Sequence, residues 1–261
     1  MKITKLRELI KKRDKIFNFM EKSEKVWKPN RNHELSIDVD GIKYDRIPVK
    51  THLVMKEDNM LDLVEKYLAP YLSKGDIIFI SEQITAITQG RLILIRDIKP
   101  TSFARFLSRK VGVNFGTEKF HGFGLGTPQA MQLAIQEVGP LRIFIAAAIA
   151  AITKPFGIKG MFYRVIGDRA KAIDCPASYT LWPYHQYAKL APLNPSEIAK
   201  SIKNKFGYDV VIIDANYRGA EVLGKSDRAI SDDFAKKVFR DNPLGQGDEQ
   251  TPLCIVRKST L

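Results

Sequence analysis

Carboxylates and amides stand at the ends of apolar runs in several places. Asp214-Ala-Asn216 closes a run whose core, "VVII", is wholly apolar; Glu82 follows "GDIIFIS", Asp168 follows Gly167 after "FYRVI", and Asp174 precedes Cys175-Pro176. Hard oxygen donors at strand ends suit Mg2+ or Mn2+, and so suit phosphate chemistry. Each carboxylate by itself is also what a surface turn carries. Asp214 stands out, because an Asp-x-Asn there sits where a buried strand would reach the surface.

A second candidate is "HGFGLGTPQAMQLAI", residues 121–135. Its three glycines let backbone approach a ligand closely. Thr127 is a good N-cap, and Pro128 stands at the first helical position. Ala130, Met131, Ala134, Ile135 and Val138 then form one apolar stripe, ended by Gly139-Pro140. The N-terminus of such a helix favours an anion. Yet a dinucleotide fingerprint needs a strand directly before the glycines, and "VGVNFGTEKFH" is not a convincing one. A phosphate loop of the Walker type ends in Gly-Lys-Ser/Thr, whereas this one ends in Gly-Thr-Pro. Both familiar readings fail. What remains is either a ligand contact or a tight turn that opens a helix.

Other chemistries have less support. His121 and His185 are not at metal-ligand spacing, there is no Gly-x-Ser-x-Gly, and Cys175 has no nearby His. "WPYHQYAK" at 182–189 could stack a flat ring or pack as a surface loop. "NPLGQGDEQTP" at 242–252 reads as an ordered, functional loop.

The elements that must position these groups follow from periodicity. Leu35, Ile37 and Val39 meet an Asp40-Gly41 turn and then Ile42, Tyr44 and Ile47, which is a hairpin signal. Asp58 caps an expected helix running to Leu72. Short strands are expected at 75–81, 91–95, 161–167, 209–214 and 253–258, and helices at 102–111, 128–138, 141–153, 195–206 and 231–239. Strands and helices interleave without a clean βαβ repeat, which indicates an α+β or mixed α/β fold. Residues 2–20 form a basic amphipathic pattern, and residues 21–33 read as a polar linker.

The 261 residues carry a net charge of +13, of which +6 lies in the first 30. This balance suits anionic partners, and a generally basic host proteome would give it as well. Two cysteines make neither a disulfide scaffold nor a four-ligand metal site. The longest apolar run, "IFIAAAIAAI", is about half of the roughly 20 residues that a membrane span needs. The expectation is a cytoplasmic protein without a transmembrane span.

Taken together, these stretches resemble one family. "DRIPVKTHLVMKEDNMLDLVEKYLAPYLSKGDIIFISEQITAITQGR" (45–91), "GLGTPQAMQLAI", "FYRVIGDRAKAID", "VVIIDAN" and "NPLGQGDEQTP" occur in the order and spacing of the coenzyme F-420-0:L-glutamate ligases, which are γ-glutamyl ligases. The resemblance covers about residues 42–258 and implies a two-part α+β fold in an intertwined homodimer. A basic N-terminal helix and linker (1–33) would precede the ligase-like domain (34–261). The resemblance further implies GTP, or ATP, as co-substrate, with Mg2+ or Mn2+ and K+ as cations. A carboxylate acceptor would be phosphorylated, and the L-glutamate amine would then displace phosphate.

By the same resemblance Glu82 and Arg91 fall in the first strand-loop motif as catalytic candidates. Asp214 and Asp174 are candidate metal ligands, Asn216 bears on the nucleotide, and Gly124, Gly126 and Thr127 line the phosphate site. The best-known branch has Gly-Ile-Asp-x-Ser-Asn around the glycine loop, where this chain reads "VNFGTEKFHGFGLGTP"; Glu118 or Asn114 stands in for the missing Asp as a metal ligand. That branch also follows its strand-end Asp with Thr-Phe-Gly-Arg-Pro-Trp-Arg, where this chain reads "DANYRGAEVLGKS". The departures point to a divergent branch with an altered acceptor. The rival reading is a non-catalytic anion- or nucleic-acid-binding protein on the same fold, although no nucleic-acid-binding motif is recognisable.

Overall fold

A computed structural model describes residues 27–112, 124–216 and 219–259. The basic amphipathic stretch at 2–20, and Asn114, Glu118 and His121, lie outside the described residues. The chain opens with the expected hairpin: β1 (Ser36–Val39) and β2 (Ile42–Val49) pair antiparallel through Val39 and Ile42. Asp40 and Gly41 between them have φ of 53° and 80°, the left-handed pair that a two-residue turn requires. Helix α1 (Met60–Tyr67) is capped by Asn59, whose side chain accepts from Leu61 N at 2.8 Å. Asp58, the expected cap, instead accepts from Met55 N and faces His52. A 3-10 turn over Ala69–Tyr71 continues the helix towards Leu72.

Strand β3 (Ile77–Ser81) runs directly into α2 (Glu82–Ile87), because the Ser81 hydroxyl accepts from Gln83 N and caps the helix. Then follow β4 (Leu92–Leu94), α3 (Ser102–Gly112), α4 (Pro128–Val138) and α5 (Pro140–Thr153). Next come α6 (Met161–Ile166), α7 (Asp168–Lys171), β5 (Tyr187–Lys189) and α8 (Pro195–Phe206). The chain closes with β6 (Asp209–Asn216), β7 (Gly219–Lys225), α9 (Asp232–Val238) and β8 (Leu253–Lys258).

The stretch 161–167, expected as a strand, is helix α6. Its aromatic and β-branched residues suggested a strand, but Phe162 and Ile166 bury at helical spacing in the helical core, and tertiary packing overrides so short a propensity signal. The short helix α2 and the strands β5 and β7 were not anticipated.

The chain forms a six-stranded sheet, ordered β1-β2-β8-β3-β6-β7, and a separate β4-β5 pair. Among the described residues, β3 and β6 are the one parallel pair of the large sheet. Period-2 alternation splits the sheet between two cores. Ile78, Ile80, Val210, Ile212, Leu253 and Ile255 face α1 and α8. Phe79, Val211, Ile213, Cys254 and Val256 face α9. A third core joins α3 to α7 with β4 and β5, around Leu107, Met131, Leu133 and Ile143. The architecture is thus mixed α/β, in a sheet part and a helical part.

Helix α5 is apolar but for Arg142 and Thr153, yet only Ile143 and Ala146 of it are buried. Leu141, Phe144 and Ile152 stay 61–70% exposed, and Phe156 just beyond is 78% exposed. A helix hydrophobic all round is normally covered by something. Among the described residues no single helix is long and apolar enough to cross a membrane; α4 and the segment Pro140–Phe156 meet at a 115° bend.

Where α8 crosses β7 the two backbones nearly touch. A Cβ on Gly224 would lie 2.5 Å from Pro195 C and Ser196 N. Gly224→Ala is therefore expected to lower stability by about 1–3 kcal/mol, measured by urea unfolding, because both neighbours are backbone and cannot step aside.

Candidate functional site

The parallel pair β3/β6 delivers two chain ends to one edge of the sheet. Ser81 pairs with Ile213, so Glu82 and Asp214 emerge side by side past the register. In open α/β sheets, ligands bind outside the carboxyl ends of the strands. Here that region opens into a cleft of about 370 Å³, walled also by Thr51–Val54, residues 176–184 and the loop 242–252. The volume suits part of a nucleotide or one small molecule.

Glu82, at the first position of α2, is only 3% exposed. A buried carboxylate must find a counter-charge. It finds Lys189, the last residue of β5, whose Nζ donates to Glu82 Oε2 and lies 2.9 Å from Asp174 Oδ2. Lys189 and Asp174 are held opposite each other by a reciprocal backbone pair, Lys189 N to Asp174 O at 2.8 Å and Asp174 N to Lys189 O at 3.0 Å. Lys189 is itself 2% exposed. The second oxygen of Glu82, Oε1, is buried with no hydrogen-bond partner among the described residues.

The electrostatics follow from this crowding. Burial pushes the Glu82 carboxyl up to about 7 against the pull of Lys189, with Asp174 and Asp214 pushing the same way as burial. Burial also raises Asp214, opposed by Lys189 and reinforced by Asp174 and Glu221. For Lys189, burial works against the ammonium, but Asp174 and Glu82 outweigh it and hold the group well above the usual lysine range. The cleft thus sets the Lys189 ammonium, favoured in its charged form, beside the carboxyl groups of Glu82 and Asp174.

Of the residues singled out from sequence, Glu82, Asp174, Asp214 and Asn216 come together on the cleft wall. Arg91 does not: its Nε donates to Ala191 O, and its Nη2 pairs with Glu137 at 2.7 Å, tying α4 to the segment after β5. Gly124–Gly126 form a 3-10 turn leading into α4 and, with Thr127, do not line the cleft. Thr127 accepts from Ala130 N, as a cap should, and lies beside the Cys175 thiol, next in sequence to Asp174. Asp168 sits at the start of α7, where Lys171 pairs with it at 2.9 Å. The loop 242–252 does form one wall of the cleft.

The residue that sequence reading missed is Lys189. The stretch "WPYHQYAK" had drawn notice for its aromatics, and nothing local marked its lysine as buried. The one usable signal was its position, directly before the apolar "LAPL", where a solvated lysine is out of place.

The expected metal set was Asp214, Asp174 and Glu118. Glu118 lies outside the described residues. Among the described residues no three His, Cys, Asp or Glu side chains are arranged to hold a metal ion. The donor chemistry explains why: one oxygen of Glu82 and one of Asp174 are already committed to an ammonium. The described carboxyl groups, as placed, do not fit a divalent ion.

Burial of Glu82 makes stability depend on pH in a definite direction. Glu82 holds its proton in the folded protein up to about pH 7 but loses it near 4.5 when unfolded. The folded state binds more protons in that window, so this group's contribution falls as pH rises from 4.5 to about 7 and is level above it. In Lys189→Met the carboxyl loses its counter-charge, so the fall is expected to continue above pH 7. The total deficit there should reach about 3–5 kcal/mol, read from urea unfolding at a series of pH values.

Comparison with known families gives one match and one blank. No curated protein matches the chain. The model of the family described as F420-0:gamma-glutamyl ligase matches residues 48–234, a span that includes Glu82, Asp174, Lys189 and Asp214. The chain thus belongs to the F420-0:gamma-glutamyl ligase family.

Proposed function

We propose that this protein forms an amide between L-glutamate, or a similar amino acid, and a carboxylate acceptor of the coenzyme F-420-0 type, by way of an acyl phosphate. The observation that carries the reading is the convergence of Glu82, Lys189, Asp174 and Asp214 at the carboxyl ends of β3 and β6, inside a family of ligases. GTP, or ATP, is the proposed phosphoryl donor. Mg2+ or Mn2+ is proposed only as a counter-ion brought by the nucleotide, and no step is assigned to it.

In the first step a carboxylate oxygen of the acceptor attacks the terminal phosphorus, and the bond to the leaving nucleoside diphosphate breaks. Negative charge gathers on the transferring group, so a fixed cation in a sheltered cleft is what the step requires. Lys189 supplies that charge from a frame that does not reorganise. In the second step the amine nitrogen attacks the acyl carbon, the carbon–oxygen bond breaks, and phosphate leaves. The nitrogen must shed a proton. Glu82, raised to about 7 and with Oε1 unpartnered among the described residues, is the proposed acceptor of that proton near neutral pH.

A homodimer is part of the proposal. Its support is the uncovered apolar face of α5, where Leu141, Phe144 and Ile152 await a partner surface. Phe144→Glu is expected to shift the protein from dimer to monomer in light scattering after size exclusion, with unchanged circular dichroism; a wild type that is already monomeric ends this part of the reading.

The activity test incubates the full chain with GTP or ATP, L-glutamate and a panel of carboxylate acceptors. Phosphate release should depend on the acceptor, and kcat/KM should rise with pH to a plateau above about 7, the range in which Glu82 ionises. Glu82→Gln should lower the plateau by about 10²-fold or more and remove that limb. Folded protein that releases no phosphate with any acceptor overturns the ligase reading.

A further inference from the structure

We infer that Lys189 is a built-in replacement for a bound metal, so that the free protein does not hold a divalent cation among the carboxyl groups of this cleft. The inference goes beyond the ligase proposal and does not need it to be correct.

Two observations carry it. First, the ammonium stands within ion-pair distance of both Glu82 and Asp174. A divalent ion using the same oxygens would need them at about 2.0–2.6 Å, which would place it against a like charge. Second, the lysine cannot easily withdraw. Its backbone is fixed on both sides, by β4 through Leu92 and by the reciprocal bonds to Asp174, and its side chain is enclosed.

Chemistry separates the two kinds of cation. A divalent ion binds several oxygens directly and can polarise them, exchanging ligands as substrates arrive. An ammonium offers three N–H donors, one charge and no open coordination position. The cleft therefore carries a fixed charge rather than an exchangeable one. A divalent ion would enter only on the phosphates of a nucleotide.

The experiment is a Mn2+ titration of the full chain without nucleotide, with free Mn2+ followed by electron paramagnetic resonance. Wild type is expected to show no saturable site below millimolar Mn2+. Lys189→Met, which frees the carboxylates, should bind Mn2+ at least about tenfold more tightly than wild type and gain thermal stability from it. Lys189→Arg should behave as wild type. Stoichiometric micromolar binding by wild type that Asp174→Asn abolishes would overturn the inference. So would a folded Lys189→Met that gains no affinity. Should Lys189→Met fail to fold, the wild-type and Asp174→Asn titrations decide alone: absence of a saturable site supports the inference, and its presence and loss overturn it. No turnover is measured, so a failed ligase assay leaves this result standing.

Discussion

The buried ammonium of Lys189 is the contact on which the site depends. A lysine this enclosed is tolerated only when it is paired, since removing one partner strands a charge away from water. Its partners come from distant parts of the chain: Glu82 from the β3–α2 junction and Asp174 from the segment after α7. Satisfying one charge therefore brings the end of the large sheet, the β4-β5 pair and the edge of the helical part together. The cleft is the space left where these pieces meet. Arg46 does comparable work elsewhere in the sheet part. It is 1% exposed, pairs with Asp241, and donates to the carbonyls of Val238 and Glu34.

The large sheet supplies the rigidity that this arrangement needs. Because β3, β6 and β8 bury both faces, neither end of β3 or β6 can slide without turning a core residue outward. Glu82 then sits just past the last paired residue of β3, while Asp214 stays paired with Glu221 of β7 and Lys189 with Leu92 of β4. Ser81 shows how closely the two roles adjoin: it ends β3 in register with Ile213 and caps α2 in the same stroke, which fixes the direction of Glu82. The remaining walls are loops, among them the residues after Thr51 and the stretch around Gly245–Gly247.

Legibility in the sequence followed the range of the interaction. The Asp40-Gly41 turn, the Thr127-Pro128 cap and the Asn194-Pro195 helix start are decided by neighbours within a few residues, and each was readable. The strand-end position of Glu82 and of Asp214 was readable for the same reason, since an apolar run ending in a carboxylate is a local pattern. The stretch 161–167 is ambiguous because seven residues carry too little period to separate strand from helix; the choice is made by burial of Phe162 and Ile166. Arg91 is a site candidate only through the family resemblance, and its direction is settled by Glu137, far along the chain.

By itself, the sequence determined the mixed α/β class, the punctuation of most helices and strands, the carboxylates at the ends of β3 and β6, and a resemblance strong enough to name the family. These rest on short-range periodicity, on capping and on the order of motifs, all of which survive without coordinates. Only the tertiary structure decided which of the candidate groups share a cleft, and that a lysine is the cation among them. That outcome depends on β5 lying beside Asp174 and on burial removing water from Lys189 and Glu82 together. Charge pairing of this kind is set by distance and desolvation between residues a hundred positions apart, and no local pattern records it.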